Sequence, residues 1–155
     1  MRRKIIDIGL IHSPFKTKEE TPIQGGFKPE AEGRIEIYSE YEEGLKDIEM
    51  FSHIILLYLF DRASEVILAR PTFLDDNPHG VFASRHPCRP NGLGITVVKL
   101  LKREKNILYV SGIDVLDKTP LIDIKPYIPR FDCFEEASEG WVENLAERPK
   151  PAGRE

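Results

Sequence analysis

Cysteine is scarce in this 155-residue chain, which has only Cys88 and Cys133. Two cysteines cannot build the framework of a disulfide-stapled secreted domain, so the simplest reading is a pair of reduced thiols. A single bridge between them stays open at this level. Charge of one sign is also lacking: 22 Lys and Arg stand against 26 Asp and Glu, a net charge of −4. That excludes a bulk electrostatic grip on nucleic acid, and any RNA contact needs a local patch or charge pooled across a dimer. Long apolar runs are missing. The longest, His53–Phe60, falls far short of the roughly 20 residues that span a bilayer. The opening MRRKIIDIGLIHSPF is basic but has no apolar core of the kind a signal peptide carries. A soluble, cytoplasmic protein is expected.

Several well-known motifs are absent too. There is no Walker-type phosphate loop, and no glycine-rich turn between a strand and a long helix. The four histidines, His12, His53, His79 and His86, do not stand at zinc-ligand spacing with the cysteines. No nucleophile-elbow pattern supports a Ser-His-Asp triad. No metal is expected.

What is present begins with a 41% hydrophobic content, enough for one folded core. A single domain is expected over 1–147, with 148–155 as a loose C-terminal tail. Ile5–Ile11 reads as a short strand ending at Ser13-Pro14. Lys16–Gly33 reads as a long loop of the kind that carries function. Arg34–Tyr38 alternates, placing Ile35 and Ile37 toward the core. Tyr41–Met50 has helical spacing, with Tyr41, Leu45 and Ile48 on one side. Ile54–Phe60 reads as a strand buried on both faces. Asp61–His79 reads as loop and Val81–Ala83 as a short strand. Ile95–Leu101 and Ile107–Ile113 form an antiparallel hairpin across Lys102–Asn106. Phe134, Ala137, Trp141 and Leu145 have the spacing of a C-terminal helix. The whole predicts a mainly β fold: a small closed or nearly closed antiparallel β-barrel with one or two short helices.

Two dense blocks carry the candidate chemistry. Gly80–Leu100 (GVFASRHPCRPNGLGITVVKL) sets Arg85, His86 and Arg89 among Pro87, Pro90, Gly92 and Gly94. Prolines stiffen such a loop, and glycines let the backbone approach a ligand. Its arginines either meet an anion or make ordinary surface pairs. Asp114–Tyr127 (DVLDKTPLIDIKPY) spaces Asp114, Asp117 and Asp123 ahead of Lys125 and Tyr127. Its carboxylates have three readings: metal ligands, a base, or turn formers. Tyr127 is either a packing residue or a hydroxyl donor. Lys99, Lys102, Arg103 and Lys105 form either an RNA patch or a solvated turn.

Taken in order, the segments Ile8–Phe15 (IGLIHSPF), Pro22-Ile23-Gln24, Phe51-Ser52-His53 and the two blocks resemble the TsaA-like (TrmO) family over about Ile8–Pro129. Members of that family are S-adenosylmethionine-dependent tRNA methyltransferases. The resemblance implies a small β-barrel that binds S-adenosyl-L-methionine, commonly as a homodimer. It also implies methyl transfer to N6 of threonylcarbamoyladenosine at position 37 of a tRNA anticodon loop. Carried across by position, it implies cofactor contacts at Pro22, Ile23, Gln24, Asp61, Arg62, Arg85, Ile95, Ser111, Gly112, Ile113 and Asp114. Asp117 and Tyr127 are then the candidates for receiving the acceptor's proton. The chain departs from the family at Gly92-Leu93, His86-Pro87 and Lys118, where Pro-Ile, Ser-Pro and glycine are common. Longer bacterial members carry an extra C-terminal domain that this chain is expected to lack. Two other functions fit the same residues: a non-catalytic S-adenosylmethionine sensor or adaptor, and a methyltransferase for another nucleoside or small molecule.

Overall fold

Alternation of apolar and polar residues is the rule that shapes this chain. In a strand it sends every second side chain to one face, and a closed sheet turns that face into a core. The computed structural model describes residues 2–22 and 28–151. Its strands are β1 (Gly9–His12), β2 (Glu32–Ile37), β3 (His53–Leu59), β4 (Ala69–Pro71), β5 (Pro78–Gly80), β6 (Leu93–Glu104), β7 (Ile107–Ser111) and β8 (Thr119–Pro126). Six of them close into an antiparallel barrel in the order β1-β2-β7-β6-β3-β8, and β8 pairs back to β1. β4 and β5 form a separate two-stranded hairpin.

Ile11, Ile35, Ile37, Ile54, Leu56, Val98, Leu108, Val110 and Leu121 fill the barrel interior. Two bulges keep the alternation in phase. In β8 the register jumps from Leu57↔Asp123 to Tyr58↔Leu121, leaving Ile122 as the extra residue. This lets both Leu121 and Ile124 pack toward the core. In β6 the shift between Leu100 and Lys102 does the same at Leu101. The expected hairpin, the inward Ile35 and Ile37, and the closed antiparallel barrel are all present.

Several local expectations are corrected. The first strand begins at Gly9, and Ile5 and Ile6 are exposed because no neighbouring strand pairs with them. β3 alternates, with Ile54, Leu56 and Tyr58 inward, instead of being buried on both faces. Tyr41–Met50 is two 3-10 turns, Ser39–Leu45 and Ile48–Met50, separated where Asp47 takes φ 71°. Tyr41, Leu45 and Ile48 still pack on the core. The 61–79 loop contains β4 and most of β5, and Val81–Ala83 is a 3-10 turn. The C-terminal helix is absent. α1 (Pro129–Asp132) is followed only by a 3-10 turn at Gly140–Val142. Gly140 and Asn144 take positive φ, which an α-helix does not accommodate, and Phe134 lies 70% exposed. Among the described residues no helix is long and apolar enough to cross a membrane.

Candidate functional site

The chain leaves the barrel after β3 and returns at β6, and residues 60–92 between them wrap one end of it. Gly94 opens this end. It pairs with Tyr58 across the β3–β6 ladder, and a Cβ there would fall 2.6 Å from Tyr58 Cζ and 2.8 Å from Phe60 Cζ. Only a residue without a side chain lets the two rings, T-shaped at 5.4 Å, lie over the strand. Asn91 and Gly92, both with positive φ, turn the chain back into β6. Arg89 secures the loop by donating from Nη1 to the Ser84 carbonyl at 2.8 Å and the His86 carbonyl at 3.3 Å.

These elements enclose a cavity of about 840 Å³. Its floor is Tyr58, Phe60 and Gly94 from the barrel, with Asp114, Val115, Leu116 and Thr119 beside them. Its rim is Asp61, Arg62, Arg85, His86 and Arg89 from the 60–92 excursion. Burial raises the Tyr58 phenol far above its ordinary value, with Asp114 adding to the shift and Arg85 opposing it. Tyr58 is therefore neutral, and opposite charges flank it. Among the described residues, five cations (Lys18, Arg62, Arg85, Arg89 and Lys150) and three carboxylates (Asp61, Asp114 and Glu139) line the cavity. That is an excess of two positive charges in a chain of net −4. A ligand carrying anionic groups is favoured there.

His86 is a second departure from an ordinary surface loop. It is only 8% exposed, and its Nδ1 accepts the Cys88 amide at 3.1 Å. The proton therefore sits on Nε2, which is buried with no acceptor among the described residues. Burial first, then the charges of Arg70, Lys18 and Arg89, pushes this imidazole down to about 4.

The far wall comes from the C-terminal segment. Arg148 donates from Nε to the Phe73 carbonyl at 2.6 Å and pairs with Asp76 at 3.1 Å. Lys150 donates to the carbonyls of Lys18 and Thr21. Trp141 stacks on His79 with centroids 3.8 Å apart and planes 11° from parallel, and donates Nε1–H to the Ala83 carbonyl at 2.7 Å. His79 in turn pairs with Asp75 at 2.9 Å.

Of the residues expected from sequence, Pro22, Asp61, Arg62, Arg85, Ile95 and Asp114 line this cavity. Ile23 and Gln24 lie outside the described residues. Ser111 ends β7 and pairs with Glu32. Gly112, at φ 83°, and Ile113 both donate their amides to the Ala31 carbonyl, and the Ile113 side chain belongs to the core. None of these three is in the cavity wall.

Asp117 and Tyr127 lie elsewhere. Asp117 accepts from the Ser13 amide at 2.9 Å and from Lys16 Nζ at 2.5 Å, beside a shallower hollow that also includes His12 and Arg34. Burial pushes this carboxyl up, but Lys16, the Ser13 amide and His12 outweigh that and hold it below the usual carboxylate range. Tyr127 sits edge-on to His53, 6.4 Å between centroids. Two of the hairpin cations are engaged locally: Lys102 with Glu104 and the Tyr109 ring, Arg103 with Glu49 and the Leu45 carbonyl. Cys88 is buried and Cys133 exposed, both as free thiols. Sequence reasoning missed Tyr58, Phe82, Trp141 and Lys150. For Trp141 the only signal was that it is the sole tryptophan of the chain.

Comparison with known proteins agrees with this architecture. A protein of Pyrococcus abyssi, named a probable S-adenosyl-L-methionine-binding protein, is 52% identical over 136 residues, covering 88% of this chain and 74% of its own. The human tRNA (adenine(37)-N6)-methyltransferase is 34% identical over 139 residues, covering 85% of this chain and 32% of its own. A crystal structure of TrmO from Pseudomonas aeruginosa superposes with a TM-score of 0.77 at 39% identity, covering 91% of this chain and 63% of that one. The chain thus spans about two thirds of the crystallised TrmO and one third of the human enzyme. Residues 10–133 match the tRNA-methyltransferase O N-terminal domain model, and the chain belongs to that family.

Proposed function

We propose that this protein is an S-adenosyl-L-methionine-dependent methyltransferase that methylates N6 of adenosine 37 in the tRNA anticodon loop, with threonylcarbamoyladenosine as the acceptor. One observation carries the reading. Pro22, Asp61, Arg62, Arg85, Ile95 and Asp114, drawn from distant parts of the sequence, meet in one cavity of a family-typical barrel.

The lining fits such a cofactor. The buried Nε2–H of His86, which has no acceptor among the described residues, and the guanidinium of Arg85 suit its carboxylate. Asp114 suits a ribose hydroxyl or the adenine amino group. Phe60, Leu116 and Ile95 supply apolar walls. When bound, the cofactor supplies an electrophilic methyl group and its own thioether leaving group. The protein's task is therefore to align donor and acceptor and to exclude water. Tyr58, kept neutral by burial, gives the floor a fixed shape without a competing charge. The acceptor nitrogen gains a carbon and gives up its proton to water or to a cavity carboxylate. For Asp117 to take that role its side chain must leave both Lys16 and the Ser13 amide and turn toward the cavity, which it does not line.

A homodimer is part of this reading. Leu93, Ile95 and Val97 leave an apolar stripe on the outer face of β6, beside the cavity mouth. A second copy covering it would bury exposed apolar surface. Light scattering checks this directly, with Val97→Asp expected to shift the protein to monomer.

The decisive test of function incubates purified protein with methyl-labelled S-adenosylmethionine and total tRNA. Label is expected in tRNA, at N6 of adenosine 37 after nuclease digestion, and lost with Arg85→Ala. Cofactor binding with no transfer to any tRNA would leave a sensor and sink the enzyme.

A further inference from the structure

The family-matched region ends at residue 133, yet the cavity does not. Glu139, Trp141, Val142 and Lys150 all contribute to its wall. We infer that this C-terminal strap is the acceptor side of the site, where Phe82 and Trp141 form an aromatic seat for an unpaired adenine of the RNA. The inference rests on the methyltransferase reading above and names which surface meets the substrate base.

Three observations carry it. First, Trp141 is held in place from two directions. His79 covers one side of the indole at 3.8 Å, and Nε1–H is tied to the Ala83 carbonyl at 2.7 Å. A ring fixed this way loses little entropy when a base stacks on it. Second, Phe82 adjoins that anchor, lines the same cavity and is 79% exposed. A large apolar ring left in the open at a cavity mouth is a feature of interaction sites. Third, among the described residues the cavity carries five cations against three carboxylates in a chain of net −4, so its potential favours a polyanion. Exposed aromatics beside local positive charge are how single-stranded nucleic acid is held. Apart from Pro22, the cavity residues expected to hold the cofactor lie on the barrel end and at Asp61, Arg62 and Arg85 of the rim, leaving Phe82 and the strap wall for the acceptor.

The chain supplies its own probe, because Trp141 is its only tryptophan. Indole emission is recorded on adding S-adenosylhomocysteine, then an anticodon stem-loop RNA with adenosine at position 37. The RNA is expected to quench Trp141 beyond any change caused by S-adenosylhomocysteine. Phe82→Ala and Trp141→Ala are expected to raise KM for tRNA by about ten-fold or more, as for a lost base stack. Their affinity for S-adenosylhomocysteine is expected to stay within about two-fold. Trp141→Phe, which keeps a ring, is expected to recover most of the loss. Full quenching by S-adenosylhomocysteine alone, or unchanged KM in both alanine variants while wild type still methylates tRNA, overturns the seat and spares the function. Quenching by RNA without methyl transfer keeps the seat and removes the enzyme.

Discussion

Arg62 joins the excursion to the barrel: its Nη2 donates to the Thr119 hydroxyl at 2.9 Å and to the Asp117 carbonyl at 2.8 Å. Thr119 passes the link on by donating to the Leu116 carbonyl at 2.7 Å. Arg62 therefore positions one cavity wall against the start of β8. Its half-exposed side chain limits the stabilisation to about 1 kcal/mol. Arg62→Ala is expected to lower Tm only slightly but to weaken S-adenosylhomocysteine binding clearly, measured by calorimetry. Unchanged affinity would remove Arg62 from the site.

Gly94→Ala tests the packing of the cavity floor. The new methyl collides with Tyr58 and Phe60, both constrained by their neighbours. Overpacking of this kind costs about 1–3 kcal/mol, seen as a lower denaturant midpoint. Because Tyr58 is also the floor, cofactor affinity is expected to fall with it.

His86 makes stability depend on mild acid. Its imidazole is depressed from 6.5 to about 4 in the folded chain. Between those values the unfolded chain binds a proton that the folded chain refuses, so stability falls as the pH drops through this window and the term is absent above it. The full loss, reached only below about pH 4, is on the order of 3 kcal/mol. Protonation also places a hydrogen on Nδ1, where the Cys88 amide now donates. Urea melts at pH 7, 6 and 5 are expected to show the fall, and His86→Gln to flatten it. Parallel curves for both proteins would refute this.

Asp117 works in the opposite range. Its carboxyl is held below the ordinary value of 3.8, so its contribution is complete above that value and lost as the pH falls through the lower folded value. Asp117→Asn removes the Lys16 pair and weakens the bond from Ser13. A loss of about 1–3 kcal/mol is expected at pH 7, shrinking toward zero in strong acid. A difference that persists at low pH would mean the carboxylate charge is not the cause.

Thiol accessibility gives a simple check of the fold. Cys133 is exposed and Cys88 is buried under the rim. One thiol per chain is expected to react quickly with Ellman's reagent under native conditions, and the second only on unfolding. Two fast thiols would place Cys88 outside the fold described.

The barrel was legible in the sequence because its signal is local and repeated. Ile35 and Ile37 in β2 follow a two-residue period, and the apolar runs of β3, β6 and β7 mark strands; neither signal needs knowledge of the partner strand. The excursion was less legible. β4 and β5 are three residues each and carry Pro71 and Pro78, so propensity argues against strand there and only their pairing makes it. The C-terminal segment misled for a related reason. Phe134, Ala137, Trp141 and Leu145 have helical spacing but no apolar surface to receive them as one face, and positive φ at Gly140 and Asn144 breaks the run.

By itself the sequence determined the main strands of the barrel, the inward Ile35 and Ile37, the stiff loop around Arg85 and Arg89, and the family, since each rests on short motifs read along the chain. Only the tertiary structure decided that Asp114 and Arg85 meet beside Tyr58 while Asp117 is bound to Lys16 away from them, and that Trp141 closes the cavity. Those relationships join residues tens of positions apart, and such contacts are fixed by how strands close and loops fold back, which no local pattern encodes.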